Sequence, residues 1–140
     1  MVETFPRIAQ VVLDTTDARS LAEFYRRLFG LEYRASDQPP PDGEPDPQGE
    51  DWLVLHNPHG GPQLAFQQTQ DARPSTWPDG TVPQMLHLDT VVSTRGELEI
   101  QRQRATDLGA TAVLDRSDDE DEPLYVFTDP AGHPFCIFVG

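Results

Sequence analysis

His87 and Asp89, two residues apart, are the most chemically suggestive pair in the chain. On a strand such residues share a face, although the contact between them is stretched. An imidazole that titrates near neutral pH beside a carboxylate suits general acid–base work, and it also suits metal ligation. The plainer alternative is a strand histidine that is simply hydrogen-bonded to a neighbour. Cys136, the single cysteine, lies between Phe135 and Ile137 with no basic residue beside it. That setting favours a small buried hydrophobe over an activated thiolate. Trp52 shares a strand face with Val54 and His56, so it either stacks on a ligand or fills the core. Tyr125 and Phe138 pose the same question, while Phe127 reads as core. Gln67 offers a neutral amide. His59 and His133 fall in turns and read as solvent-facing.

Other chemistry is missing from the sequence. There is no glycine-rich phosphate loop, Gly-x-Ser-x-Gly elbow, Cys-x-x-Cys pair or His-Glu-x-x-His. The acidic run 118–122 lacks the spaced ligands and glycine of a calcium loop, and with residues 42–51 it reads as a solvated loop.

The formal net charge is −14 over 140 residues, and all ten basic residues are arginine. So acidic a surface repels phosphate backbones and anionic lipid, which argues against nucleic acid and membrane as partners. One cysteine excludes an intrachain disulfide. Residues 1–7 show no basic stretch followed by an apolar core, and no apolar run approaches a membrane span. The expectation is a cytoplasmic protein.

Apolar content is 36%, low for a globular chain, and the deficit sits in residues 37–51 and 69–83. Between these, strands are predicted over 8–13, 31–36, 52–56, 63–68, 85–92, 110–114, 125–128 and 135–139. Helical spacing of Leu21, Phe24, Tyr25, Leu28 and Phe29 predicts a first helix that stops at Gly30. A second is predicted over 94–108, with Leu98, Ile100, Ala105 and Leu108 as core contacts and Gly109 as its stop. The proline- and acid-rich stretch 37–51 reads as an exposed loop.

The order strand, helix, strand, strand, strand thus occurs twice. Gly30 and Gly109 lie 79 residues apart, and the turns at Asn57–Gly60 and Asp129–Gly132 lie 72 apart. Both turns lead into apolar strands, which indicates a duplicated unit. The expected fold class is α+β: two βαβββ modules, 7–68 and 85–140, joined by a linker over 69–84, in a single domain spanning 1–140 with a cupped mixed or antiparallel sheet.

Three segments carry a family resemblance: Ala22-Glu23-Phe24-Tyr25-Arg26-Arg27-Leu28-Phe29-Gly30-Leu31, His87-Leu88-Asp89, and Asp129-Pro130-Ala131-Gly132-His133-Pro134-Phe135. The chain resembles the vicinal oxygen chelate superfamily, which includes glyoxalase I, extradiol dioxygenases, fosfomycin-resistance enzymes and bleomycin-binding proteins. The resemblance implies metal-ligand positions at Gln10, Ala65, His87 and Cys136. Only His87 is a strong ligand among them; Gln10 is weak and neutral, and Ala65 has no donor. It further implies a small organic ligand, apolar or aromatic, held without a cofactor. Gln10, Trp52, Gln67, His87, Asp89, Tyr125, Cys136 and Phe138 are the candidate contacts. The alternative is a lyase, isomerase or dioxygenase using His87 with Zn, Ni, Mn or Fe, or a metal-free enzyme using His87. A homodimer is implied in either case.

Overall fold

The computed structural model describes residues 5–140; residues 1–4, part of the stretch read for a leader, lie outside the described residues. The chain divides into two compact units, 1–70 and 71–140. The first contains β1 (Gln10–Thr15), α1 (Ala18–Phe29), β2 (Glu32–Tyr33), β3 (Trp52–His56) and β4 (Gln63–Gln68). The second contains β5 (Leu88–Val92), α2 (Arg95–Leu108), β6 (Thr111–Arg116), β7 (Leu124–Thr128) and β8 (Pro134–Val139).

The two sheets have the same plan. Their strand orders are β1-β4-β3-β2 and β5-β8-β7-β6. The first strand of each unit runs parallel to the last, and the other pairings are antiparallel. The fold is therefore α+β, with two four-stranded mixed sheets. No helix among the described residues is long and apolar enough to cross a membrane.

Each helix is delimited by its own sequence. The Asp17 side chain accepts the Ser20 N–H at the start of α1, and Thr94 accepts the Glu97 N–H at the start of α2. Gly30 and Gly109 end the helices with φ of 64° and 117°. That left-handed backbone disfavours side chains, so glycine is the fitting stop.

α1 covers one face of its sheet. Tyr25 stacks on Phe66 with ring centroids 5.9 Å apart, and the Gln68 side chain accepts the Ala18 N–H at 2.8 Å. Leu53, Leu55 and Phe66 are fully buried on this side, each contributing about 1.5–3 kcal/mol. In the second unit Phe127 stacks on Phe135 at 5.2 Å, and Leu98 and Ala105 of α2 are buried.

Several elements differ from their sequence-based expectations. Ile8 is 87% exposed and precedes β1. Residues 85–87 precede β5, with Met85 94% exposed. Both stretches have strand-like composition but lie outside the hydrogen-bonded ladders. Only Glu32–Tyr33 of the stretch 31–36 pairs as strand; Ala35–Asp37 forms a 3₁₀ turn. Ile100 is exposed, because it lies two residues beyond Leu98 and hence about 200° around the helix.

The acid-rich loop is anchored rather than merely solvated. Asp37 is fully buried and accepts hydrogen bonds from Arg34, Ser36, Gln48 and the Val54 N–H. Asp46 takes a two-pronged contact from Arg19 at 2.8 and 2.9 Å.

Candidate functional site

The sheet face turned away from each helix is where side chains are free to do chemistry. Alternation along β4 sends Leu64 and Phe66 toward α1, so Ala65 and Gln67 point away. Register then sorts the neighbours. Val12 and Val54 flank Ala65, and Asp14 and Trp52 flank Gln67. Gln10 pairs with Gln63 on the same face. Four of the expected residues in the first unit, Gln10, Trp52, Ala65 and Gln67, therefore share one face. Asp14 joins them, a carboxylate just beyond the strand predicted over 8–13. Ala65 is fully buried, Trp52 half-buried and Gln67 exposed.

The second unit repeats the division. Tyr125, Phe127, Phe135 and Ile137 occupy the helix side. Leu124, Val126, Cys136 and Phe138 occupy the other, as the pairing of Leu124 with Phe138 and Val126 with Cys136 requires. Asp89 pairs with Cys136 and joins that face. The strand β6 has a register shift between Ala112 and Leu114, which pairs Leu114 with Val126 and Arg116 with Leu124. One extra residue thus turns Leu114 and Arg116 toward the helix-averted face.

The helix-averted residues line an open hollow of about 250 Å³, all of its lining coming from the second unit. Its floor is apolar: Leu124, Val126, Cys136 and Phe138. Its margin is polar: Gln84, His87, Asp89, Arg116 and Glu122. Trp77 supplies an aromatic flank. The sequence reading missed Trp77 and Gln84, which lie in the stretch read as a linker. That stretch is tied down by the Ser75 N–H, which donates to the Gly132 carbonyl at 3.3 Å, and by close packing of Pro74 on Gly132.

Four of the predicted residues, His87, Asp89, Cys136 and Phe138, line the hollow together. His87 Nε2 lies 3.2 Å from Asp89 Oδ1, with both side chains about half-exposed. Tyr125 is not brought to the hollow. It faces α2, where its hydroxyl donates to Glu99 at 2.6 Å. The Cys136 thiol is pushed up to about 11 by burial, with Asp89 and Glu122 adding to the effect. It stays protonated at neutral pH, so it is not a ready nucleophile. His133 is held in its turn by Asp129, with Nδ1 2.8 Å from a fully buried carboxylate. The same Asp129 accepts the Ala131 and His133 N–H groups, which fixes the turn leading into β8.

A family model described as "Glyoxalase-like domain" matches residues 10–138. The chain belongs to the glyoxalase-like domain family. No curated protein matches it by sequence. Solved structures similar to this glyoxalase-like chain include a glyoxalase/bleomycin resistance protein/dioxygenase family enzyme from Burkholderia phytofirmans. That structure is 18% identical with a TM-score of 0.69, over 96% of this chain and 98% of that one. A lactoylglutathione lyase from Agrobacterium tumefaciens is 18% identical with a TM-score of 0.59, over 99% and 96%. A fosfomycin resistance protein from Listeria monocytogenes, complexed with Mn(II), is 14% identical with a TM-score of 0.69, over 98% and 94%. At these identities the likeness establishes the fold.

The ligand positions that the family resemblance implies make a poor donor set for a divalent metal in this glyoxalase-like chain. Of the four positions that the family resemblance assigns to ligands, Ala65 has no donor, Gln10 is a neutral amide and Cys136 is a soft donor unlike the carboxylates that suit Mn²⁺ or Mg²⁺. Among the described residues, no three His, Cys, Asp or Glu side chains gather closely enough to hold an ion.

Proposed function

We propose that this glyoxalase-like protein binds a small organic molecule in the hollow of its second sheet, without a resident metal. The observation that carries this reading is the hollow itself. An apolar floor inside a margin of a few polar groups is the usual make-up of a ligand site. Phe138 and Trp77 offer aromatic contact, and His87 and Asp89 offer polar anchors. In the first unit, Gln10, Trp52 and Gln67 share the corresponding sheet face and are proposed as a contact surface of that unit's own. Sequestration of an antibiotic or metabolite in the cytoplasm by a homodimer is consistent with this role.

A thermal-shift screen against small aromatic compounds tests the reading. At a hundredfold excess over Kd, the gain is about 2.7 kcal/mol, several degrees in Tm for a chain of this size. Val126→Arg, which places a charged chain on the floor, should abolish the shift. A broad panel with no shift, or shifts untouched by Val126→Arg, defeats the proposal.

A second reading is supported by the His87–Asp89 pair. An imidazole held by a carboxylate at 3.2 Å and open to a hollow suits general acid–base catalysis without metal. Turnover lost in His87→Gln, with ligand affinity kept, would favour an enzyme. Stoichiometric metal lost on His87→Ala would instead favour a metal-dependent lyase, isomerase or dioxygenase.

A further inference from the structure

We infer that the ligand of this hollow is an aromatic cation, a planar ring system bearing an amine or amidinium. The inference rests on the binding role proposed above and adds the charge and shape of what is bound.

The hollow is rich in acceptors. Asp89 and Glu122 stand on its margin. Asp89 stands directly beside the floor, since its strand position pairs with Cys136. Arg116, the one arginine in the lining, is already committed: its Nη2 lies 2.6 Å from Asp119 Oδ2. His87 faces Asp89. Gln84 Oε1 is buried and has no hydrogen-bond partner among the described residues, a state that costs free energy until a donor arrives. An entering N–H group would supply that donor.

The apolar part sets the remaining requirement. A hollow of about 250 Å³ floored by Leu124, Val126 and Phe138 suits a few fused rings, and Trp77 gives a π-face for a delocalised cation. An anion would meet two carboxylates with no uncommitted arginine to greet it. The chain's charge of −14 further concentrates cations around the protein.

The test uses the full chain at pH 8 with three probes of similar shape: 9-aminoacridine, a cation; acridine, neutral; and anthracene-9-carboxylate, an anion. Fluorescence titration should show 9-aminoacridine binding about tenfold more tightly than acridine, and the anion weakest. Asp89→Asn with Glu122→Gln should cost the cation about fivefold or more while leaving acridine nearly unchanged. Gln84→Leu should weaken 9-aminoacridine about threefold and spare acridine, which has no N–H to give. Asp42→Asn with Glu44→Gln removes two exposed charges from the first unit and should leave 9-aminoacridine affinity unaltered. An equal loss in that control means that overall charge alone draws the cation, and the inference falls. Acridine or the anion binding as tightly as 9-aminoacridine overturns the inference while leaving a binding role intact. If none of the three binds, both fall.

Discussion

The Asp37 carboxylate accepts the Val54 backbone N–H at 2.8 Å, fastening the start of a long loop to the middle of β3. Arg34, Ser36 and Gln48 complete its shell. Asp37→Ala leaves a buried N–H unpaired, which costs about 1–3 kcal/mol. Urea unfolding should show that loss, and Asp37→Asn should recover part of it.

The same carboxylate makes stability depend on acid. Burial opposes its ionisation, but the hydrogen bonds from Arg34, Val54, Gln48 and Ser36 outweigh burial and hold it below the ordinary 3.8. A depressed folded value means that its contribution is full above the unfolded value and is lost as pH falls through the folded one. The wild-type Tm should therefore fall below about pH 4 more steeply than that of Asp37→Asn. Parallel curves would contradict this account.

Cys136 should be slow to react. A thiol at about 11 carries two to three orders of magnitude less thiolate at neutral pH than an ordinary cysteine near about 8.5. Labelling by a disulfide reagent at pH 7.5 should be slower by roughly that factor and should rise toward pH 11. Fast labelling at neutral pH would reopen a nucleophilic role.

Gly132 is the point where 71–84 is held. Its φ is 96°, and an added Cβ would lie 2.4 Å from the Pro74 Cβ. Gly132→Ala should destabilise the protein by about 1–3 kcal/mol. It should also weaken ligand binding, because Trp77 follows Pro74 by three residues. Unchanged binding would separate Trp77 from the site.

Equilibrium dialysis against Mn²⁺, Ni²⁺ and Zn²⁺ should leave less than one ion per chain, and His87→Ala should not alter the result. A full equivalent retained by wild type and lost in the variant would show a donor set assembled in some other way.

The duplicated order of elements was legible in the sequence because its markers are local. Gly30 and Gly109 stop helices by conformation, and the turns at Asn57 and Asp129 stop strands. β3 and β4 carry their full pattern within a few residues, and their bounds agree with expectation. What escaped depends on distant partners. Asp37 looks like one more acid in a polar loop until Val54 and Arg34 close around it. Met85 and Ile8 have strand-like composition, but among the described residues no strand takes up their backbone. Trp77 and Gln84 sit in a stretch with no periodicity, tied to the unit through Gly132 far along the chain. The shift of Leu114 and Arg116 required a bulge that composition does not reveal.

Alternation along each strand assigns every second residue to holding the helix and the others to meeting whatever arrives. The two roles can therefore change at different rates. A lineage could exchange Val126 or Phe138 to suit a new guest while Phe66, Phe127 and Phe135 keep the scaffold standing. Retuning such a protein in the laboratory should begin with the former set and leave the latter alone.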